Sequence, residues 1–122
     1  TPLTRDHSTV QALIDRGFLS DDQARQHPLR TVLSRSLGTS ADVEVDQVSQ
    51  DLCAGDRLLL CSDGLHGYAT ATAIQRAMNQ RRTWSPTDIA RALVDLALRG
   101  GGRDNVSVVV VECLAAPAPG TP

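Results

Sequence analysis

The sequence predicts an α+β fold organised on antiparallel strands, and three observations predict it. Leu58-Leu59-Leu60-Cys61 is an apolar run of strand length, which reads as a strand buried on both faces. Val106-Ser107-Val108-Val109-Val110-Val111-Glu112-Cys113 is the best strand pattern in the chain. Around them lie segments with helical apolar spacing and clear cap residues. The first strand stops at Ser62-Asp63-Gly64, and the second is preceded by the glycine-rich loop Gly100-Gly101-Gly102-Arg103-Asp104-Asn105. If the two strands pair antiparallel, the end of one lies beside the start of the other, and Asp63 and Asp104 meet at one edge of the sheet.

The remaining elements follow in chain order. Ser8 with Gln11 forms a capping-box pattern, opening a helix whose apolar face is Val10, Leu13 and Ile14; Gly17 stops it. Ser20 and Gln23 repeat the pattern for a shorter helix ended by Pro28. Residues 30–37 are ambiguous, with Val32 and Leu33 compatible with a strand. Val43, Val45 and Val48 alternate with Glu44 and Asp46, the pattern of a half-buried strand. Asp51 to Asp56 is the turn before the central strand. A helix is expected from Ala71 to Gln80 with Ile74, Ala77 and Met78 inward, followed by a solvated turn at Arg81-Arg82. Ser85-Pro86-Thr87-Asp88 is a strong helix start, and Ile89, Leu93, Leu96 and Ala97 form the buried stripe behind it. Leu114 to Pro122 is Ala- and Pro-rich without periodicity, a tail or linker.

Composition bounds the function. A chain of 122 residues with 41% apolar content is one domain with a sufficient core. With one Phe, one Tyr and one Trp, that core is aliphatic. A net charge of −2 and few aromatic side chains argue against a nucleic-acid surface. Cys53, Cys61 and Cys113 lack metal-type spacing and read as small buried hydrophobes in a reducing compartment rather than redox groups. Neither a signal peptide nor an apolar run near 18 residues is visible, so a soluble, cytoplasmic protein without a membrane span is expected.

Two readings fit the paired acids. Oxygen-only chemistry with no adjacent histidine suits Mg²⁺ or Mn²⁺ better than zinc. Alternatively, Asp63 caps a following helix and Asp104-Asn105 makes a turn. His7 and His27, beside helix ends, read as hydrogen-bonded structural histidines. His66 is either an exposed loop histidine or a contact to a substrate phosphate. Arg103 touches phosphate or pairs with a surface acid.

Four segments, in order, give the chain its resemblance to a known family. They are Leu3 to Ser8 with Val10 and Leu13; Ala24 to Leu33 around His27-Pro28; Gly55-Asp56 through Leu60-Cys61-Ser62-Asp63-Gly64-Leu65; and Gly101 to Val110 around Asp104-Asn105. Over residues 3–113 the sequence resembles the second half of a bacterial-type PPM (type 2C) metal-dependent serine/threonine protein phosphatase. The resemblance implies half of an αββα sandwich, with residues 1–113 as the C-terminal portion of the domain, 8–36 as flap-like helices shaping substrate access, and 114–122 as the tail. It implies phosphomonoester hydrolysis by a metal-activated water, two or more Mg²⁺ or Mn²⁺ ions, and phosphoserine or phosphothreonine proteins as substrates. Asp63 matches the ligand after the central strand and Asp104 the last ligand, with Asn105 and Gly64 supporting them.

The same resemblance implies a first half that supplies an Asp-Gly ligand pair, a Gly-Asp-Ser-Arg segment and a phosphate-binding arginine, none of which this sequence contains. Gly67 stands where many eukaryotic relatives place a further acid. The start without Met and in mid-domain leads us to expect a fragment that is inactive without its N-terminal half. The alternative is a non-catalytic, phosphatase-like interaction module.

Overall fold

A computed structural model describes residues 1–79, 83–116 and 120. The chain forms two compact units, Thr1–Gln50 and Asp51–Pro122.

The first unit carries helices α1 (Thr9–Asp15) and α2 (Asp21–Gln26). Ser20 completes its capping box: its hydroxyl accepts from the Gln23 N–H at 3.3 Å, and the Gln23 side chain accepts from the Ser20 N–H at 2.9 Å. At α1 the box is half made. Ser8 Oγ accepts from Gln11 N–H at 3.2 Å, but the Gln11 amide donates forward to Asp15 at 3.0 Å. Residues 30–37 resolve into a single antiparallel bridge, Ser8 to Leu33, with Thr9 N–H donating to Val32 O at 2.9 Å. His27 Nδ1 accepts from the Leu29 N–H at 3.1 Å as the chain leaves α2.

The expected strand over residues 43–48 is not formed. The segment is extended coil without a ladder, and Val45 is 79% exposed. Alternation prepares a face for burial, but a strand also requires a partner backbone, and none of the described residues supplies one. The segment is fastened by side chains instead. Asp46 accepts from Arg35 at 2.7 Å and lies 2.8 Å from His7 Nε2, and Arg35 also pairs with Glu44 at 3.2 Å. The His7 hydrogen bond first, and Arg35 second, hold the Asp46 carboxyl below its ordinary range; the bond to Asp46 raises Arg35.

A depressed folded-state pKa means that this fastening contributes stability above the unfolded carboxyl value of about 3.9 and is lost as pH falls through the folded value. Side-chain NMR should therefore titrate Asp46 below that reference, with release of residues 42–48 accompanying protonation. In Asp46→Asn the acid step should vanish; a midpoint at or above the reference would contradict the contact.

The second unit is built on β1 (Arg57–Cys61) and β2 (Val108–Glu112), with α3 (Asp63–His66), α4 (Ala71–Asn79) and α5 (Pro86–Arg99) between them. The strands pair antiparallel, Arg57 opposite Glu112 and Cys61 opposite Val108. The α4 helix ends at Asn79 among the described residues; Gln80 and the Arg81-Arg82 turn, like most of the Pro-rich tail, lie outside them. α5 starts as its sequence specifies, with Ser85 Oγ accepting from Asp88 N–H at 3.2 Å and Pro86 in the first turn. Leu65, Ile89, Leu93 and Ala97 are fully buried and, with Ala69, form the core against which Leu59, Val108 and Val110 pack.

Because the helices cover one face of the sheet, the expectation of a β1 buried on both faces is corrected. Leu60 is 58% exposed and Val109, opposite it, 57%. The cysteines are corrected likewise: Cys53 and Cys61 are exposed and Cys113 is half-buried, since Cys53 precedes the sheet and Cys61 ends β1.

On the covered face, Arg57 does what no apolar residue could. Its guanidinium, 10% exposed, donates to Met78 O near the end of α4 at 3.3 Å, to Trp84 O at 3.1 Å and to Glu112 at 3.3 Å. Removing it strands two carbonyls and a part-buried carboxylate. Arg57→Met should cost about 2–4 kcal/mol by chemical denaturation. Arg76→Met, at an exposed position, should stay within about 0.5 kcal/mol.

Candidate functional site

The site is assembled where β1 ends. Ser62 is the N-cap of α3 by position, yet its side chain makes no capping bond. Its hydroxyl crosses to the other strand instead, donating to Asn105 O at 3.2 Å and accepting from Ser107 N–H at 3.0 Å. The Ser62 N–H adds a bond to Ser107 O at 3.0 Å. One serine thus fastens the start of α3 to the residues just past Asp104, extending the ladder by side chain where the strands cease to be regular.

Two glycines make the close approach possible. A Cβ on Gly64 would lie 2.0 Å from Asn105 O, and one on Gly100 would lie 2.0 Å from Tyr68 O. Both obstacles are backbone carbonyls, which cannot rotate aside. The glycine-rich loop is therefore seated against α3 and the turn after it at both of its ends. Gly64 and Leu65 are buried, which anchors the short helix in the core.

Asp63 and Asp104, flanking these contacts, are both exposed. Asp63 is the first residue of α3, and its carboxylate makes no hydrogen bond or ion pair among the described residues. The capping alternative for Asp63 therefore has no bond behind it. Asp104 Oδ1 accepts from the adjacent Asn105 N–H at 2.7 Å, which leaves its second oxygen to offer. Asn105 sits between Asp104 and the Ser62 contact, with its carbonyl carrying the Gly64 approach. His66 is exposed in the last turn of α3, and Arg103 is exposed in the loop.

The structure thus brings α3 and the loop together at one sheet edge. It does not gather a complete metal site: among the described residues, no three His, Cys, Asp or Glu side chains stand together so as to hold an ion. Asp63 and Asp104 each offer a hard oxygen donor, the donor type that suits Mg²⁺ or Mn²⁺. Sequence reasoning missed Ser62, Ser107, Gly100 and Tyr68. The available signal was a serine placed before an acid-glycine pair at a strand end.

The α+β frame is shared with solved phosphatases. The chain superposes on serine/threonine phosphatase Stp1 from Staphylococcus aureus with a TM-score of 0.86 and 31% identity, covering 93% of this chain and 44% of that one. It superposes on the catalytic domain of the serine/threonine protein phosphatase PstP, solved in complex with 2 manganese ions, with a TM-score of 0.75 and 34% identity, covering 94% and 46%. In sequence it is 40% identical over 112 residues to the serine/threonine protein phosphatase PstP of Mycobacterium tuberculosis, covering 92% of this chain and 21% of that protein. Fold and sequence therefore define a region of the PP2C (PPM) phosphatase class. Within that class the chain belongs to the stage II sporulation protein E (SpoIIE) family, whose model matches residues 9–114. It spans less than half the length of the solved relatives and about a fifth of the tuberculosis protein.

Proposed function

We propose that this chain is part of a metal-dependent protein serine/threonine phosphatase and contributes Asp63 and Asp104 to one Mg²⁺ or Mn²⁺ position. In this reading residues 1–113 are the C-terminal portion of the catalytic domain, with 8–36 as flap-like helices, and the remaining ligands come from an N-terminal portion. Its substrates are phosphoserine and phosphothreonine proteins of the cytoplasm, with no nucleic-acid partner.

The observation that carries the reading is the Ser62 cross-link, which sets the residues beside Asp63 against the residue after Asp104. The manganese-bound relative and the oxygen-only donor pair support the choice of ion. Such ions, when bound, acidify water and neutralise charge on a phosphoryl group in transfer. This chain's residues do the rest by position. Asn105 N–H holds Asp104 Oδ1, Ser62 and Gly64 keep α3 on the loop, and His66 and Arg103 are the cation-forming side chains nearest in sequence for a substrate phosphate.

Turnover of p-nitrophenyl phosphate and of a phosphothreonine peptide tests the proposal. The complete domain should be active with manganese and silent with chelator, whereas this chain alone should give no turnover, since two carboxylates are too few ligands for a binuclear site. An inactive complete domain would favour the interaction-module reading. Turnover by this chain alone, lost in Asp63→Asn, would mean that it holds a working site unaided.

A further inference from the structure

The outer side of α5 carries a charge pattern that the phosphatase reading does not use. At about 100° per residue, Asp88, Arg91, Ala92, Asp95 and Arg99 fall within an arc of roughly 100°, opposite the buried Ile89, Leu93 and Ala97. The four charged residues are exposed, while Ala92 is half-buried, and together with Trp84 they line one shallow groove. Arg91 meets Asp88 only at 3.8 Å, and neither Asp95 nor Arg99 has an ion-pair partner among the described residues.

The order of signs along this stripe is acid, base, acid, base, which a reversed copy of itself complements. At about 1.5 Å of rise per residue, the midpoint of Asp88 and Arg99 and the midpoint of Arg91 and Asp95 lie within about 1 Å of each other along the axis. One two-fold axis near Ala92 therefore sets Asp88 against Arg99 and Arg91 against Asp95, each twice. Arg91 and Asp95 also lie on the same flank of the stripe, as a dyad perpendicular to the two helices requires. The small Ala92 beside the axis leaves room for the backbones to approach.

We propose that the α5 stripe docks a second copy of this chain, antiparallel about that dyad, in a weak and reversible dimer. A single 14-residue helix presents a small interface, so the association is transient and driven by charge order rather than by area.

Sedimentation velocity on the full chain tests this with two reciprocal variants. Arg91→Glu and Asp95→Arg each leave the Ser85 cap and both end pairs intact, but turn the two central pairs repulsive in a homodimer. Each variant alone should dimerise about tenfold more weakly or worse, and an equimolar mixture should recover the dimer because all four pairs are again opposite in sign. The unmodified dimer should weaken by about tenfold between roughly 50 mM and 500 mM salt. Thermal melts keep loss of fold apart from loss of docking. Monomers throughout would overturn the proposal. So would a dimer indifferent to both substitutions and to salt, which would place association on the exposed Leu60 and Val109 face.

Discussion

Asp104→Asn in the complete phosphatase domain is expected to lower kcat by about 100-fold or more while changing KM little. Supporting groups around metal sites typically cost about 10–100-fold when removed, and a direct ligand belongs at or beyond the top of that range. The loss falls on kcat because the charge removed acts on the developing charge of the reaction rather than on substrate already held. Asparagine keeps the size of the side chain and an oxygen able to accept from the Asn105 N–H, so the loop itself should survive. Excess manganese should restore only part of the rate. Asp88→Asn is the control: its carboxylate accepts from Ser85 Oγ at 2.6 Å at the start of α5, and losing that charge should cost about 0.3–1 kcal/mol of stability with activity unaffected. Equal loss of activity in both variants would remove Asp104 from the site.

Gly64→Ala should be strongly destabilising, at about 3 kcal/mol or more. The added methyl would start 2.0 Å from Asn105 O and 3.3 Å from Val106 Cγ2. Relief requires the loop to retreat from α3, which breaks the three hydrogen bonds that Ser62 makes to Asn105 and Ser107. Overpacking of a close-packed contact costs about 1–3 kcal/mol, and more where the obstacle is backbone. Gly38→Ala separates this from ordinary glycine effects. Gly38 has φ 87° with nothing within 4 Å of the added carbon, so the conformational term alone remains, at about 1–2 kcal/mol. Equal unfolding midpoints for the two variants would mean that the contact is looser than described.

Much of the second unit was legible in the sequence because its signals are local and redundant. The two apolar runs could pair in only one useful sense, and the register sets Cys61 opposite Val108, as the expectation for the Asp63 edge required. Ser20 with Gln23, and Ser85 before Pro86, announce helix starts through bonds made within a few residues. What failed depended on distant partners. Val43, Val45 and Val48 have a strand's alternation, but alternation says nothing about who supplies the ladder. Leu58 to Cys61 reads as buried on both sides, but apolarity cannot tell a covered face from one left open. The locking role of Ser62 was invisible because a serine before a helix normally caps it, and only the crossing of Ser107 diverts the hydroxyl. Arg57 at the head of an apolar strand was a clue to a buried acceptor cluster, though its carbonyl partners, Met78 and Trp84, lie 21 and 27 residues away.

The claim on which the functional reading rests is that Asp63 and Asp104 hold the same ion. Manganese anomalous scattering from crystals of the complete domain tests it most directly. One Mn²⁺ peak is expected within about 2–2.5 Å of an oxygen from each carboxylate, lost in Asp63→Asn and in Asp104→Asn alike. Carboxylates more than about 8 Å apart, or a peak that touches one acid and survives removal of the other, would contradict it.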